Sequence, residues 1–405
     1  MRNQRILISG AGPAGLTLAY WLRYYGFSPT LVERSPSLRI GGYKVDIRGV
    51  ALEVVKYMGL YGRVKDLQTN MLGASVVDKF GQEIAQMNGD TFNLRISQDL
   101  EIIRGDLCRI LAQQIEGMTC LFNDSVVAIS QGHEGVEVEF ENHAPQQFDL
   151  VIGADGLHST VRKLVFGHDS CFAKELGLYI SIFSVPNALG LHRWEMEYAD
   201  STKLVNLYSP SKDQDAKAAF LFASQALRFD IRDVQKQQQL LSEVYVRVGW
   251  EVPKLLAAMK QSKDFYFDSI AQICMSHWSD GRVALVGDAG YCPSPVSGQG
   301  TSLALVGAYV LAGELALAKG DYAQAFSQYE KQLRKYVEQN QKLGRNFAKN
   351  MTEGHKKNLT VWLHDQFMRL LPGRWIKFVT KQATRRVGRA ANAVVLKNYT
   401  ALLNQ

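Results

Sequence analysis

The feature that most constrains this 405-residue chain is Gly10-Ala11-Gly12-Pro13-Ala14-Gly15, set between an apolar strand at residues 4–9 and a helical pattern over residues 13–25. Glycines at these three spacings allow a tight turn, close approach of backbone to a pyrophosphate, and close helix–strand packing. The helix start then offers unpaired N–H groups and the positive end of its dipole to phosphate oxygens. A second strand at residues 28–33 ends in Glu33, where a carboxylate can accept hydrogen bonds from ribose hydroxyls. The chain therefore opens as a β-α-β nucleotide-binding unit, and this motif alone does not choose between flavin and nicotinamide dinucleotides.

Two more glycine-rich corners follow. Gly153-Ala154-Asp155-Gly156-Leu157-His158-Ser159-Thr160-Val161-Arg162 comes directly after the apolar run Phe148–Ile152. Its Asp-Gly turn, with Ser and Arg on the next helix, reads as a polar, anion-facing corner; turn chemistry alone fits a plain strand-to-helix turn equally well. Gly281–Gly290 holds a short strand that delivers Asp288 to the sheet edge, where ligands of open α/β sheets sit. The rigid stretch Pro293-Ser294-Pro295-Val296-Ser297-Gly298-Gln299-Gly300 leads into a long helix whose N-terminus favours negative charge. Read alone, Asp288 also fits a helix cap.

Between these pieces the pattern is β-rich, with strands expected over Leu178–Val185, Arg193–Tyr198, Lys203–Tyr208 and Ala219–Phe222. Residues beyond about Leu333 read as helical to the end, divided at Pro372-Gly373. The longest apolar stretch, Leu303–Ala318, is interrupted by Glu314 and reads as a buried helix rather than a membrane span. Five cysteines without C-x-x-C spacing argue against a disulfide framework or a zinc site and fit a reducing cytoplasm, as does the lack of a secretory pattern at the start. Residues 331–405 carry 16 Lys/Arg against 3 Asp/Glu. With no nucleic-acid motif beside it, that charge reads as a solvated helical face that helps attract an anionic cofactor.

The order G-x-G-x-x-G, then G-A-D-G-x-x-S-x-V-R, then G-R-V-x-L-x-G-D-A with P-x-x-G-x-G resembles the class A flavoprotein aromatic hydroxylases over residues 1–335. The resemblance implies an α/β fold: a discontinuous, doubly wound, Rossmann-like FAD-binding domain (1–72, 100–175, 275–333), an inserted β-rich substrate domain (73–99, 176–274), and C-terminal helices bridging them (334–405). It implies non-covalent FAD, with Gly10, Gly12, Pro13, Ala14 and Gly15 at the pyrophosphate. Glu33 and Arg34 would lie at the adenosine ribose, and Asp155 and Gly156 in a motif serving FAD and NAD(P)H. Arg104 would lie on the flavin side, Asp288 at the ribityl chain, and Pro295, Gly298 and Gly300 under the isoalloxazine. Two departures stand out: Gly290-Tyr291 where the family usually has Ala-His, and Gly307-Ala308 where it often has Asp-Ala.

The segment Gly41-Gly42-Tyr43-Lys44-Val45-Asp46-Ile47-Arg48-Gly49, expected to pass over the flavin with Lys44 at the cofactor, is similar, together with the tail, to the tetracycline destructases. In that branch one or two C-terminal helices cover the substrate pocket. Lys342–Leu371 and Arg374–Val387 are the candidates here, the first with an apolar face of Leu359, Trp362, Leu363, Phe367, Leu370 and Leu371. The resemblance implies a monooxygenase that uses NADPH (or NADH) and O2 to oxygenate a polycyclic phenol or enol through a C4a-hydroperoxyflavin, with a tetracycline as the expected substrate. An aromatic or polyketide hydroxylase of the same fold is the alternative, and a flavoprotein that merely sequesters a drug is a third reading. No metal, nucleic acid or membrane partner is expected; the protein would be a monomer or dimer, and the flavin itself would carry the chemistry.

Overall fold

The computed structural model describes residues 2–38, 41–96, 98–200, 202–227, 229–230, 233–353 and 373–403. Its first sheet is built on Arg5–Ser9, which pairs in parallel with Leu150–Gly153 on one side and Ser28–Glu33 on the other. Cys120–Phe122 and Val283–Leu285 extend it in parallel, and Ser279–Asp280 adds an antiparallel edge. Ile6, Leu7 and Ile8 are all fully buried because helices cover both faces, which is why the strand reads as an unbroken apolar run. On one side Pro13–Tyr24 packs against Gly300–Leu317. The latter is long and apolar enough to cross a membrane, but every residue from Ser302 to Ala316 is buried inside the protein: it is a central core helix, apolar all round because it is enclosed all round.

The second sheet has seven strands in the order Tyr266–Ile273, Ala173–Val185, Ala216–Ala223, Lys203–Ser209, Trp194–Ala199, Gly73–Val77, Glu83–Asn88. Alternation sends Phe183, Val205, Leu207, Phe220 and Phe222 to one face, where Val234–Tyr245 and Val252–Met259 cover them with Leu241, Tyr245, Val252, Leu255 and Met259. The opposite face turns toward the first sheet's unit. Between the two units runs an arm, Lys44–Ile47, paired with Leu100–Ile103. Arg48 at its end donates to Asn93 O at 2.8 Å, to Leu94 O at 3.0 Å and to Asp46 at 2.7 Å, fastening the arm to the β-rich unit.

Several expectations need correction. The run Phe148–Ile152 is two strands: Gln146–Phe148 pairs antiparallel with Val136–Phe140, and Leu150–Gly153 joins the parallel sheet. Asp149 divides them, its carboxylate accepting from the Arg5 N–H at 2.8 Å. Ala173–Val185 runs through the domain boundary expected at 175/176, and Tyr322–Glu353 is one 32-residue helix through the boundary expected at 333/334. The tail is not helical to the end: Gly373–Ala391 is followed by non-helical residues 392–398 before Tyr399–Leu403. Gly373–Ala391 packs on Tyr322–Glu353 and also touches Gly89–Phe92 of the β-rich unit. Residues Leu359 to Leu371 of the expected apolar face lie outside the described residues.

The chain's last segment is part of the core. Tyr399 is fully buried, its ring seated over Gly313, where a Cβ would lie 2.3 Å from the ring, and its hydroxyl donates to Glu314 at 2.7 Å. Lys397 also reaches Glu314, at 2.6 Å. Tyr399→Ala should lower stability by about 3–5 kcal/mol through the cavity it leaves, while Tyr399→Phe should cost about 1 kcal/mol for the lost hydrogen bond; thermal melting followed by circular dichroism reads both.

Candidate functional site

The nucleotide corner is defined by what its glycines leave out. Gly10 has φ of +106°, and a Cβ there would stand 2.7 Å from Ala154 O; a Cβ on Gly15 would stand 1.9 Å from Gly10 O. Only glycine lets the helix Pro13–Tyr24 begin this close to its strand. Pro13 fits the helix's first turn, where its missing N–H costs nothing, and Gly12 leaves the N-terminus without a side-chain cap. Glu33 accepts from Ala11 N at 2.8 Å and from Ser35 N at 2.9 Å, so it fixes the turn and keeps lone pairs for a ribose. Arg34 beside it is exposed. The Arg104 guanidinium comes within 3.4 Å of a Cβ position on Gly12, and the Arg104 backbone N–H donates to Tyr43 O at 3.0 Å. Arm, Arg104–Gln113 helix and glycine turn therefore converge on one spot.

Asp155 and Arg162 differ from the anion-facing corner expected of them. The Asp155 carboxylate accepts from Thr160 N at 2.8 Å, Val161 N at 3.1 Å and the Ser159 hydroxyl, so it caps the helix Thr160–Val165, while Gly156 makes the turn at φ +82°. Arg162 is fully buried and donates to Leu157 O at 2.6 Å, to Ala289 O at 2.8 Å and to Asp169 at 2.7 Å. It locks the second motif to the third. The structural signal was present in the sequence, since an arginine two residues into an apolar helix start has somewhere inward to go.

Asp288 opens the short helix Asp288–Tyr291 and is half-buried; burial pushes its carboxyl pKa up, while the Cys292 thiol and Arg104 pull it down. The following loop exposes Pro295 and Gly298, the latter at φ +64°, and Gly300 starts Gly300–Leu317 without a side-chain cap. A Cβ on Gly300 would lie 3.8 Å from Asp288 Oδ1. Ser294 takes φ +76° while fully enclosed, a strained backbone held by its surroundings. Gln272 bonds Pro293 O at 2.9 Å and Gln341 O at 2.7 Å, bracing the loop from the β-rich sheet and the long helix. The cradle fits FAD: bare backbone at both helix starts, a carboxylate for a hydroxylated chain, and an arginine between them.

Lys44, expected at the cofactor, is placed elsewhere. Its ammonium pairs with Glu195 and Glu101, the latter at 3.4 Å, and lies 4.8 Å over the Tyr208 ring. The two departures from the family pattern meet each other: Tyr291 Oη stands 1.9 Å from where a Gly307 Cβ would be. The hydroxyl is 2.9 Å from Tyr329 Oη, which itself donates to Leu285 O at 2.9 Å. A bulky ring at 291 therefore requires glycine at 307.

The arm reaches the second sheet's inner face through Lys44 and Glu195, the Pro295–Gly300 loop reaches it through Val296, and the stretch of that face between them is the candidate substrate cleft. One cross-strand row forms its floor: Glu197 faces Asn206, Asn206 faces Ala219, Ala219 faces Ile182, and Ile182 faces Tyr266. Tyr43 and Tyr266 present 40% and 41% of their surface, yet burial pushes both hydroxyl pKa values up. Glu197 is pushed up to about 7, first by burial and then by the neighbouring Glu195. Glu195 itself holds Lys44, Asn93 at 2.9 Å and Asn206 at 3.2 Å. Sequence reading assigned none of this floor, because its residues come from five strands of different hairpins.

Gly307→Ala should destabilise the protein and weaken FAD retention, and Tyr291→Phe placed on top should recover part of the loss. The two changes should couple by about 0.5–3 kcal/mol in a double-mutant cycle of thermal unfolding. Arg104→Ala should raise the FAD dissociation constant by about tenfold, as expected for roughly 1.4 kcal/mol of lost charge-assisted bonding, measured by quenching of FAD fluorescence.

A family model described as an FAD binding domain matches residues 3–343. A flavin-dependent monooxygenase of Legionella longbeachae serogroup 1 (strain NSW150) is 45% identical over 343 residues, 85% of this chain and 88% of its own length. Among solved structures, tetracycline destructase Tet(55) superposes with a TM-score of 0.85 and 39% identity, covering 98% of this chain and 99% of its own. Tetracycline destructase Tet(51) gives 0.82 and 39%, with 98% and 100% covered. With the glycine cradle, the Asp288 edge and the inserted sheet in place, the chain belongs to the FAD-binding flavin-dependent monooxygenases.

Proposed function

We propose that this monooxygenase oxygenates tetracyclines, consuming NAD(P)H and O2. The observation that carries the reading is the likeness to Tet(55) over 98% of the chain. The cleft's chemistry supports it. The floor row crosses five strands, about 19 Å at the usual spacing between neighbours, with polar groups at both ends and Ala219 and Ile182 between. That is the outline of an elongated polycycle with polar edges and an apolar body.

Bound FAD supplies acceptance of hydride from NAD(P)H and activation of O2. The chain's own residues do the positioning. Gly10, Gly12, Gly15, Arg104 and Asp288 would hold the dinucleotide, and Gly298–Gly300 would place the N-terminus of the Gly300–Leu317 helix where negative charge develops. Val296 packs with Ile180, Leu204 and Leu221 under the long helix's Ala348 and Met351, an apolar seal that keeps water from that side of the cleft. Glu197 and Asn206 would receive the polar edge of the substrate.

In air with NADPH, purified FAD-loaded protein should consume NADPH faster when tetracycline is added, with loss of the tetracycline absorbance band. NADPH oxidation that ignores every tetracycline tested would return the substrate to the phenols and polyketides. Because Glu197 carries its proton below about pH 7 and loses it above, the KM for tetracycline should change across that pH. Glu197→Gln, which cannot ionise, should abolish the inflection.

A further inference from the structure

The outer edge of the β-rich unit carries an aromatic projection beside a hollow. Asp78–Gln82 turns the chain from Gly73–Val77 into Glu83–Asn88, the edge strand of the seven. The Asp78 carboxylate accepts from Phe80 N and Gln82 N, both at 2.9 Å, and Gly81 takes φ +84°, so the turn is rigid. It holds the Phe80 ring outward with 75% of its surface exposed, an orientation that the hydrophobic effect opposes. Beside the ring, a hollow of about 430 Å³ is lined by Phe80, Gly81, Leu189, Met196, Trp250 and Glu251. Trp250 lines it from a left-handed backbone, φ +56°, which a bulky residue adopts only under constraint. The constraint is the turn itself. Trp250 N donates to Lys79 O at 2.7 Å, and a Cβ on Gly249 would stand 2.4 Å from that same oxygen. Projection and hollow are one rigid piece.

Packing within the chain does not account for it. Trp250 and Met196 lean on the apolar cluster under the sheet, but Phe80 does not join them there. An exposed phenylalanine next to a tryptophan and a methionine has the composition of an interface centre, not of free surface. Backbone strain of the Trp250 kind also gathers where a partner is held. The charges beside the ring are arranged to match. Lys79 Nζ lies 5.0 Å over the Phe80 ring and has no ion-pair partner among the described residues. The Glu251 carboxylate at the hollow meets only the exposed Lys254 among them, at 2.9 Å.

We propose that this face joins two copies of the chain about a twofold axis, each Phe80 entering the other copy's hollow and each Lys79 meeting the other copy's Glu251. A twofold interface asks one surface to be its own complement. This surface carries both halves of the fit: projection and hollow, cation and carboxylate. Each contact is then made twice. A partner of another sequence would have to supply an aromatic projection and an acidic hollow at the same spacing, whereas a second copy brings both by construction.

The joined surface backs the cleft without entering it. Met196 sits between Glu195 and Glu197 on the strand Trp194–Ala199, and alternation sends it to the opposite face, where it packs with the cluster under the sheet. Pairing through the hollow therefore braces the strand that carries the floor carboxylates and leaves their own face to substrate. The pairing holds whatever that substrate is, so it does not rest on the tetracycline reading.

Sedimentation velocity of the FAD-loaded full-length protein tests it. Wild type should sediment at twice the 45.3 kDa mass of the chain. Phe80→Asp should raise the dimer dissociation constant about 30-fold or more, as expected for loss of a central aromatic anchor. Lys79→Glu should weaken the dimer as well, and adding Glu251→Lys to it should restore association, because the reversed charges meet again across the axis. Unchanged circular dichroism and retained flavin absorbance establish the fold of each variant. A wild type that stays at single-chain mass through the micromolar range would overturn the proposal, and so would a dimer that Phe80→Asp leaves intact. A charge-reversed double variant that associates no better than Lys79→Glu alone would overturn the pairing of Lys79 with Glu251.

Discussion

Everything in this molecule hangs on one close contact between backbones. A Cβ on Gly15 would fall 1.9 Å from Gly10 O, and one on Gly10 would strike Ala154 O. Removing those two methylene-sized volumes lets the first helix start against the first strand and lets the second motif lie alongside. The third motif is drawn into the same corner: Gly287, at φ +66°, brings its backbone to within 3.0 Å, measured from a Cβ position, of the Ala14 side chain. Arg162 then ties the second motif to the third through Ala289 O. The three corners are distant in sequence but form one rigid cradle, because each is pressed against the next by contacts that admit no extra atoms.

This explains which parts of the fold could be read from the chain alone. The three corners announce themselves because Gly10, Gly156 and Gly287 take positive φ and Gly15 has no room for a Cβ, so few residue types fit there. The parallel strands do so because burial on both faces makes them continuous apolar runs. The cleft floor is different. Glu197, Asn206, Ala219, Ile182 and Tyr266 share a face only through the pairing register of five strands, and register is set by long-range contacts that leave no local pattern. The helices Val234–Tyr245 and Val252–Met259 escaped for a related reason: they are short, and their apolar residues make sense only against the phenylalanines of the sheet beneath.

Lys44 shows how a charge can be misassigned by its neighbourhood in sequence. A lysine on the arm over the cofactor suggests phosphate or flavin, but a strand alternates its side chains, and Lys44 projects toward buried Glu195 of the β-rich sheet and buried Glu101 of the arm's partner strand. Burying Glu195 without it would leave an uncompensated charge, which costs several kcal/mol, while Glu101 would keep only Arg95 at 3.8 Å. Lys44 is thus committed to making the seam between the two units possible. The cost of that seam shows in Glu197, next along the same face: with Lys44 shared between Glu195 and Glu101, burial and the adjacent charge lift it to about 7.

The Tyr291–Gly307 contact carries the same logic into the family pattern. Taken singly, Gly290-Tyr291 and Gly307-Ala308 look like two losses of polar groups near the cofactor. In three dimensions they are a single exchange, in which a tyrosine ring fills the space that the absent side chain at 307 vacates. The Tyr291 hydroxyl finds Tyr329, and Tyr329 finds Leu285 O, so the polar atoms remain satisfied on the back of the cradle. The ring also packs 4.5 Å from Trp278, whose ring lies 5.7 Å from that of Tyr329 on Tyr322–Glu353, so the Asp288 helix is joined to the long C-terminal helix through Trp278. The residues that would face FAD keep the family's sequence pattern, while the packing behind them is solved differently. Binding constrains backbone positions at the front of a cradle, and the core behind it needs only to be filled without voids and without orphaned hydrogen-bonding groups.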